Sequence, residues 1–407
     1  MTNLLRWAVV AILVLHGFVH LLAAVQRFGW VDDPVLARDP ALGVLWLAAA
    51  ILLLAAALLA ALGAPTWWWL LAIVAAVTSE AAIMTSWSVS GSGTLVNVLL
   101  ILIAIYSLLL RGPPSFRGQW RRRSKEALEA VDPDPTPLTE DELAGLPEPL
   151  AAYIRRSLRQ GEPREASLHA RFHGRIRSDA DAEWMPFRGR QVNTFGDNPT
   201  RTFLMIASRS GVPITVLHCF ADGRATMRGK VLSLLTVVDA SGPEMDRSET
   251  VTVFNDLVVL APGAIVDAPI TWTCVGKRQV RGVFTLGSQS VSAVLTFDER
   301  DDLIDFVSDD RSRASADGRS FTPQTWSTPL RTHRDVDGLR LLTTGAARWL
   351  GPDGWFTYIE LEYDEITYNV HEVETGPASG PALQGLTPER VSRPRGEMTH
   401  RRPRRAR

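Results

Sequence analysis

The sequence predicts a membrane α-helical bundle of four spans joined to a mainly-β soluble domain, an antiparallel, curled, half-barrel-like sheet with one or two helices. Three observations carry this prediction. Residues 1–111 hold only eight charged side chains, whereas the 407-residue chain carries 43 basic and 44 acidic ones, so its two ends suit different solvents. Beyond residue 150 the hydrophobic period switches from about 3.6 to 2 and stays there. No helices of about 10 to 15 residues alternate with the strand-like runs, which argues against a parallel α/β fold and for an antiparallel sheet. Collagen, coiled-coil and wholly disordered classes are excluded by composition. A disulfide-stapled fold is excluded because the only cysteines are Cys219 and Cys274, read as buried, reduced thiols.

Taken in order, charge-free apolar runs occupy Trp7–Val25, Ala41–Ala64, Trp67–Ser79 continuing past Glu80 to Met84, and Thr94–Leu110. Each is roughly 17 to 24 residues, enough at ~1.5 Å per residue to cross a hydrocarbon core of ~30 Å. The first run also resembles the apolar core of a signal peptide, with Arg6 before it and Ala23-Ala24 after it, but three further spans follow. Arg111, Arg117, Arg121, Arg122, Arg123 and Lys125 follow the fourth run, while the loop 26–40 dilutes its two Arg with three Asp. The positive-inside rule then places both termini, and the β domain, in the cytoplasm of a multi-pass cell-membrane protein. Trp67, Trp68 and Trp69 would anchor the inner interface.

Ionisable groups in hydrocarbon cost several kcal/mol unless paired or hydrated, so those within the spans are candidate site residues. His16 and His20 share a face of the first span, Glu80 lies in the third and Asn97 in the fourth. Counted from the inner ends, His20, Glu80 and Asn97 each lie about 20 Å deep. The readings open are a proton site, a metal site of two imidazoles and a carboxylate, a polar pocket for a quinone or headgroup, or a hydrogen-bonded knot that holds the bundle together.

Residues 112–149 read as a linker, first basic and then rich in Pro and acid, which favours extended, semi-rigid chain. Residues 150–370 form the β domain, opening with a short helix at Leu150–Gln160. Leu168 to Arg177 alternates between an apolar face and one of imidazole and guanidinium, His169 and His173 included, as a half-buried strand does. Further strand-like runs are Phe187–Phe195, Thr202–Ser208, Pro213–Phe220, Arg224–Val238, Ile270–Val275, Gln279–Leu286, Val291–Phe297, Leu303–Ser308, Thr325–His333, Arg340–Trp349 and Trp355–Asn369. Asp222-Gly223, Asp301-Asp302, Asp317-Gly318, Asp337-Gly338 and Asp353-Gly354 mark turns between them. One helix, from about Arg247 to Leu260, interrupts the pattern: Asp246 and Glu249 suggest a capping box, Val251, Phe254 and Val258 an apolar stripe, and Pro262-Gly263 a stop. Such a sheet closes into a barrel or curls into a half-barrel with the helix over its mouth. The second leaves an apolar cavity suited to an amphiphile. Residues 371–407 read as a disordered basic tail, with eight Arg and one Glu in 390–407, suited to anionic lipid.

No G-x-S-x-G, Walker-type, dinucleotide, H-E-x-x-H or C-x-x-C motif is present, so no enzyme class is indicated; no cofactor, resident metal or nucleic-acid partner is expected. The soluble-domain candidates are Glu249, Asn255 and Asp256 on the helix, Asp309, Asp310 and Arg311 after a strand, and Trp326.

Several segments, in this order, carry a resemblance: His16-Gly17-Phe18-Val19-His20-Leu21, Trp46-Leu47, Ser79, Trp87 to Asn97, Leu146-Pro147-Glu148-Pro149, Trp184-Met185-Pro186-Phe187, Ser248-Glu249-Thr250-Val251 with Asn255-Asp256, Ser308-Asp309-Asp310-Arg311 and Trp326-Ser327-Thr328-Pro329. Over nearly its whole length the chain resembles a bacterial membrane family with four N-terminal transmembrane helices and a C-terminal domain of unknown function. It departs from that pattern at Glu80, where an amide is usual, and at Ser88-Val89-Ser90, where an acid is. The family's soluble part is similar in element order to the lipoprotein-carrier half-barrels, which bind acyl chains. The resemblance therefore implies lipid binding beside the bilayer. The alternatives are a proton, metal or quinone module built on the membrane residues, and a membrane scaffold for a protein partner.

Overall fold

The computed structural model describes residues 3–31, 36–131, 135–158, 161–336 and 339–373. The basic tail, the Asp337-Gly338 turn and Pro133 lie outside the described residues.

The chain begins with α1 (Asn3–Phe28), α2 (Pro40–Ala61), α3 (Trp68–Met84), α4 (Trp87–Ser90) and α5 (Gly93–Arg111). Asp39 starts α2 by accepting the Ala41 and Leu42 N–H groups on its carboxylate, with Pro40 in the first turn. Among the described residues, three stretches are long and apolar enough to cross a membrane: Leu4–Phe28, Pro40–Ala61 and the one that begins at Gly93. The fourth expected span, α3, has 17 residues and falls short of that length, because the chain breaks at Thr85 before restarting as α4. The Thr85 hydroxyl donates back to the Ala82 carbonyl at 2.7 Å, ending the ladder there. Ala49, Ala56, Ala72, Ala75 and Ala104 are all fully buried, and such small side chains let helices approach closely. Leu15, Leu58 and Leu95 are exposed on the outside of the bundle. The expected triple-Trp belt is also corrected: Trp67 is exposed, but Trp68 turns inward and donates its indole N–H to the Ala56 carbonyl at 2.8 Å.

The linker is not extended throughout. It contains α6 (Phe116–Glu129) and α7 (Glu140–Leu143), followed by α8 (Glu148–Ser157). Ser115 caps α6 by accepting the Gly118 N–H at 3.0 Å. Phe116, Trp120 and Leu128 then bury one stripe of this very basic helix against Val192, Leu204 and Leu217 of the sheet.

The sheet is built from β1 (Ser167–Ile176), β2 (Met185–Thr194), β3 (Thr200–Arg209), β4 (Val212–Ala221), β5 (Arg224–Val231) and β6 (Leu235–Ser241). After α9 (Pro243–Leu260) and a 3-10 turn at Pro262–Asp267 come β7 (Ile270–Gly276), β8 (Gln279–Leu286), β9 (Gln289–Phe297), β10 (Leu303–Ser308), the small hairpin β11 (Ser312–Ala314) with β12 (Phe321–Pro323), β13 (Trp326–Val336), β14 (Leu339–Gly351) and β15 (Gly354–Tyr368). Thirteen antiparallel strands form one open sheet in the order β6-β5-β4-β3-β2-β1-β15-β14-β13-β10-β9-β8-β7, so it does not close into a barrel. The run 224–238 is two strands, because Leu232 and Ser233 take left-handed backbone (φ 53° and 61°) and fold the chain back. Cys274 is exposed on edge strand β7, against expectation, while Cys219 is buried.

Since β6 and β7 lie at opposite edges, the chain between them must cross the sheet, and α9 makes the crossing. It touches β5 and β6 near one edge and β9 and β10 near the other. It begins earlier than expected, at Pro243 after Gly242 (φ 102°). Asp246 does not form the expected capping box and instead accepts the Ala225 N–H at 2.6 Å. Because α9 is enclosed, its polar side chains Glu249, Thr252, Asn255 and Asp256 are buried along with Val251, Phe254 and Val258.

Candidate functional site

Two clusters of polar residues among the described residues bring candidate residues together. In the helical region, α1, α3 and α5 bring together the four residues singled out by the sequence. His16 Nε2 lies 3.1 Å from Ser79 Oγ and 3.2 Å from Asn97 Oδ1, and Ser79 Oγ lies 2.8 Å from His20 Nε2. The Asn97 amide donates to one Glu80 oxygen and the Thr94 hydroxyl to the other, both at 2.8 Å. The result is one chain, His20–Ser79–His16–Asn97–Glu80. His20 also stacks near Trp46, with ring centroids 4.7 Å apart, and its Nδ1 is buried with no partner among the described residues. No set of three or more His, Cys, Asp or Glu among the described residues is arranged to hold a metal. The imidazoles bond instead to a hydroxyl and an amide. Ser79 is the link that the candidate set lacked; its place one residue before Glu80 was the available signal.

In the β domain, Gln191, Asn193 and Arg201 stand on one sheet face, Asn193 directly opposite Arg201 in register. Arg201 meets α9 with two ion pairs of 2.7 Å, Nη1 to Glu249 and Nε to Asp256. Asp256 accepts further bonds from Gln191 at 2.6 Å and Asn193 at 3.0 Å. Burial pushes the Glu249 carboxyl up, but Arg201, His218 and Arg311 pull it further down, so it stays ionised well below the usual carboxylate range. Burial disfavours the charge on Arg201 as well, yet Asp256 and Glu249 more than offset it and raise its pKa. Asn255 donates to the Thr328 hydroxyl at 2.6 Å.

Gln191, Arg201, Glu249, Asn255 and Asp256 sit at one wall of a cavity of about 810 Å³. The remaining walls include Phe203, Met205, Met227, Leu330, Leu361 and Tyr363. Of the predicted soluble-domain residues, Glu249, Asn255, Asp256, Arg311 and Trp326 line this cavity, and Asp309 and Asp310 do not. Asp309 accepts the Thr325 hydroxyl at 2.6 Å; Asp310 accepts the Ser292 N–H and hydroxyl and pairs with Arg247. Arg201, Gln191, Asn193 and His218 were not among the sequence candidates, although the polar pair Gln191 and Asn193 at i, i+2 inside an apolar run was a visible signal. Arg171, His173 and Arg175 of β1 make a polar ladder with Glu365, Asp364 and Glu360 of β15, whereas His169 on the same face lies beside the Trp120 ring, centroids 6.0 Å apart. Away from the cavity, burial raises the Glu165 carboxyl to about 7 although it accepts the Gly263 N–H at 2.9 Å.

Fold and site together define a protein class: apolar helices that could cross a membrane, followed by a large, open antiparallel sheet with a cavity along its internal helix. Within that class the chain belongs to the family described as "Family of unknown function (DUF6544)", which it matches over residues 136–361. No curated protein matches its sequence. Solved structures similar to the chain include a putative outer membrane lipoprotein-sorting protein domain from Vibrio parahaemolyticus, with 12% identity, 63% of this chain and 95% of that one covered, and a TM-score of 0.32. A LolA superfamily protein from Nitrosomonas europaea is 11% identical over 54% and 92% of the two chains, with a TM-score of 0.31. A DUF1329 family protein from Desulfovibrio piger is 10% identical over 57% and 93%, with a TM-score of 0.27.

Proposed function

We propose that this protein is a four-span membrane protein with both termini in the cytoplasm, and that its β domain binds a lipid or other amphiphile beside the bilayer. The observation that carries this reading is the cavity. At about 810 Å³ it has the size of a ligand site, and its mostly apolar walls meet one wall of buried, charged groups. An amphiphile needs both. Curling of the sheet into a half-barrel supports the same reading. Thirteen flat strands at ~4.8 Å spacing would extend nearly 60 Å, yet α9, about 27 Å long, touches strands near both edges. In this proposal residues 1–111 are the membrane domain, 112–149 the connection, and 150–370 the binding domain.

The test is photolabelling of the full-length protein in lipid nanodiscs with a diazirine-bearing fatty acid, followed by peptide mapping. Crosslinks should fall on cavity peptides containing Met205, Met227 or Leu361. Labels confined to α1–α5 would sink the reading.

A second reading is favoured by the hydrogen-bond chain from His20 to Glu80, whose unpartnered His20 Nδ1 suits a proton or quinone function in the membrane. A quinone titration monitored through the fluorescence of Trp46, against a His20→Phe control, tests it; identical traces would discard it.

A further inference from the structure

We propose that the cavity takes amphiphiles with an acidic headgroup, a carboxylate or a phosphate, and that Arg311 is the residue that receives it. This deepens the amphiphile reading and rests on it. Two arginines near the α9 carboxylates line the cavity and differ in how far they are bonded. Arg201 is fully committed: its three guanidinium nitrogens bond to Glu249, Asp256 and Gln191. Arg311 is not. Both carboxylates beside it in sequence are taken, Asp309 by Thr325 and Asp310 by Ser292 and Arg247. Glu249 lies close enough to feel Arg311 electrostatically, but one of its oxygens pairs with Arg201 at 2.7 Å and the other, 3.9 Å from His218 Nδ1, makes no hydrogen bond to Arg311.

The Arg311 guanidinium lies over the Trp326 ring, its Cζ 4.1 Å from the centroid, with the Trp349 centroid 5.5 Å away. Stacking of this kind fixes the plane of the group and leaves its N–H edge to other partners. Its Nε and Nη1 are buried with no hydrogen-bond partner among the described residues. Buried N–H groups without acceptors are costly even on a half-buried guanidinium, and an anion in the cavity would satisfy them. Arg311 lines the apolar cavity, and an occupant's acid group is the anion that can reach it there. A guanidinium binds carboxylate and phosphate alike, through charge-assisted hydrogen bonds.

The experiment uses the full-length protein in nanodiscs and photoreactive probes of equal chain length: a fatty acid, a lysophosphatidic acid and a fatty alcohol. Wild type should label at the cavity peptides with either acid at concentrations about tenfold or more below the alcohol, the factor expected for one charge-assisted hydrogen bond. The ratio of the two acids tells carboxylate from phosphate. R311Q should remove the preference, with alcohol labelling still falling on the cavity peptides as evidence that the variant is folded; R311K should keep part of the preference. Equal labelling by acid and alcohol in wild type, or a preference that survives R311Q, would overturn the assignment while leaving the cavity reading intact. If no probe labels the cavity, both fall.

Discussion

Arg201 holds two carboxylates in a place where none of the three could stand alone. It is buried, as are Glu249 and Asp256, and such a cluster is tolerable only while every charge has its partner. Arg201→Met should therefore destabilise the protein by about 3 to 5 kcal/mol, because it strands two acids in apolar surroundings, and thermal unfolding of the detergent-solubilised protein would register the loss. Trimming Asn255→Ala, which removes one hydrogen bond to Thr328, should cost far less, about 1 kcal/mol. Equal losses for the two variants would argue against the charge network as the stabilising unit. Glu165 gives a prediction with a sign in pH. Its folded pKa of about 7 lies above the ordinary value of 4.5, so the native state binds the proton more tightly than the unfolded chain does. Its contribution is fully present below pH 4.5 and is lost as the pH rises through 7. Melting temperatures should fall across that window, and Glu165→Gln, which still accepts the Gly263 N–H, should flatten the fall. An unchanged slope would show that other groups set the pH dependence.

Elements were legible where one period ran unbroken. The alternation in Leu168–Arg177 reads directly as β1, and the charge-free runs as helices, because each pattern is local. The failures have local causes too. Leu232 and Leu234 keep the turn between β5 and β6 apolar, so nothing in composition separated the two strands. In α6 the run Arg121-Arg122-Arg123 masked an apolar stripe, Phe116, Trp120 and Leu128, spaced by multiples of four. That stripe is a docking face: Trp120 is buried and donates its indole N–H to the Thr202 carbonyl at 3.1 Å. Trp120→Ala should cost about 3 to 5 kcal/mol and open the basic run to trypsin, whereas Arg122→Ala, on the exposed side, should do neither. Helix α3 decides topology. At 17 residues it spans about 25 Å, short of a ~30 Å core by roughly what a tilted or locally thinned bilayer absorbs. If it crosses, reporters fused to the two ends of the chain lie on the same side of the membrane. Reporters on opposite sides would remove α3 from the set of spans.

At the scale of the molecule, the cavity was the feature least legible in the sequence. Its walls come from strands far apart in the chain, Phe203 on β3, Leu330 on β13 and Leu361 on β15, and only the pairing of β1 with β15 brings the two halves of the sheet together. Residue type pointed to Glu249, Asp256 and Arg311, but not to what they share. That they face a common space depends on α9 crossing between opposite edges of an open sheet, a long-range consequence that no local pattern carries. The same geometry permits a variant that separates cavity from fold. Gly345 on β14 lines the cavity, and a Cβ built there meets only Leu342 Cδ2, at 3.8 Å, an ordinary contact. Phe at this position would place its ring in the open space, and an aromatic residue suits a strand better than glycine does. Gly345→Phe should thus leave the melting temperature equal or higher while abolishing photolabelling of the cavity peptides. If the sheet's interior serves only as packing, filling it changes stability and no binding; if it is a container, filling it removes binding and spares stability.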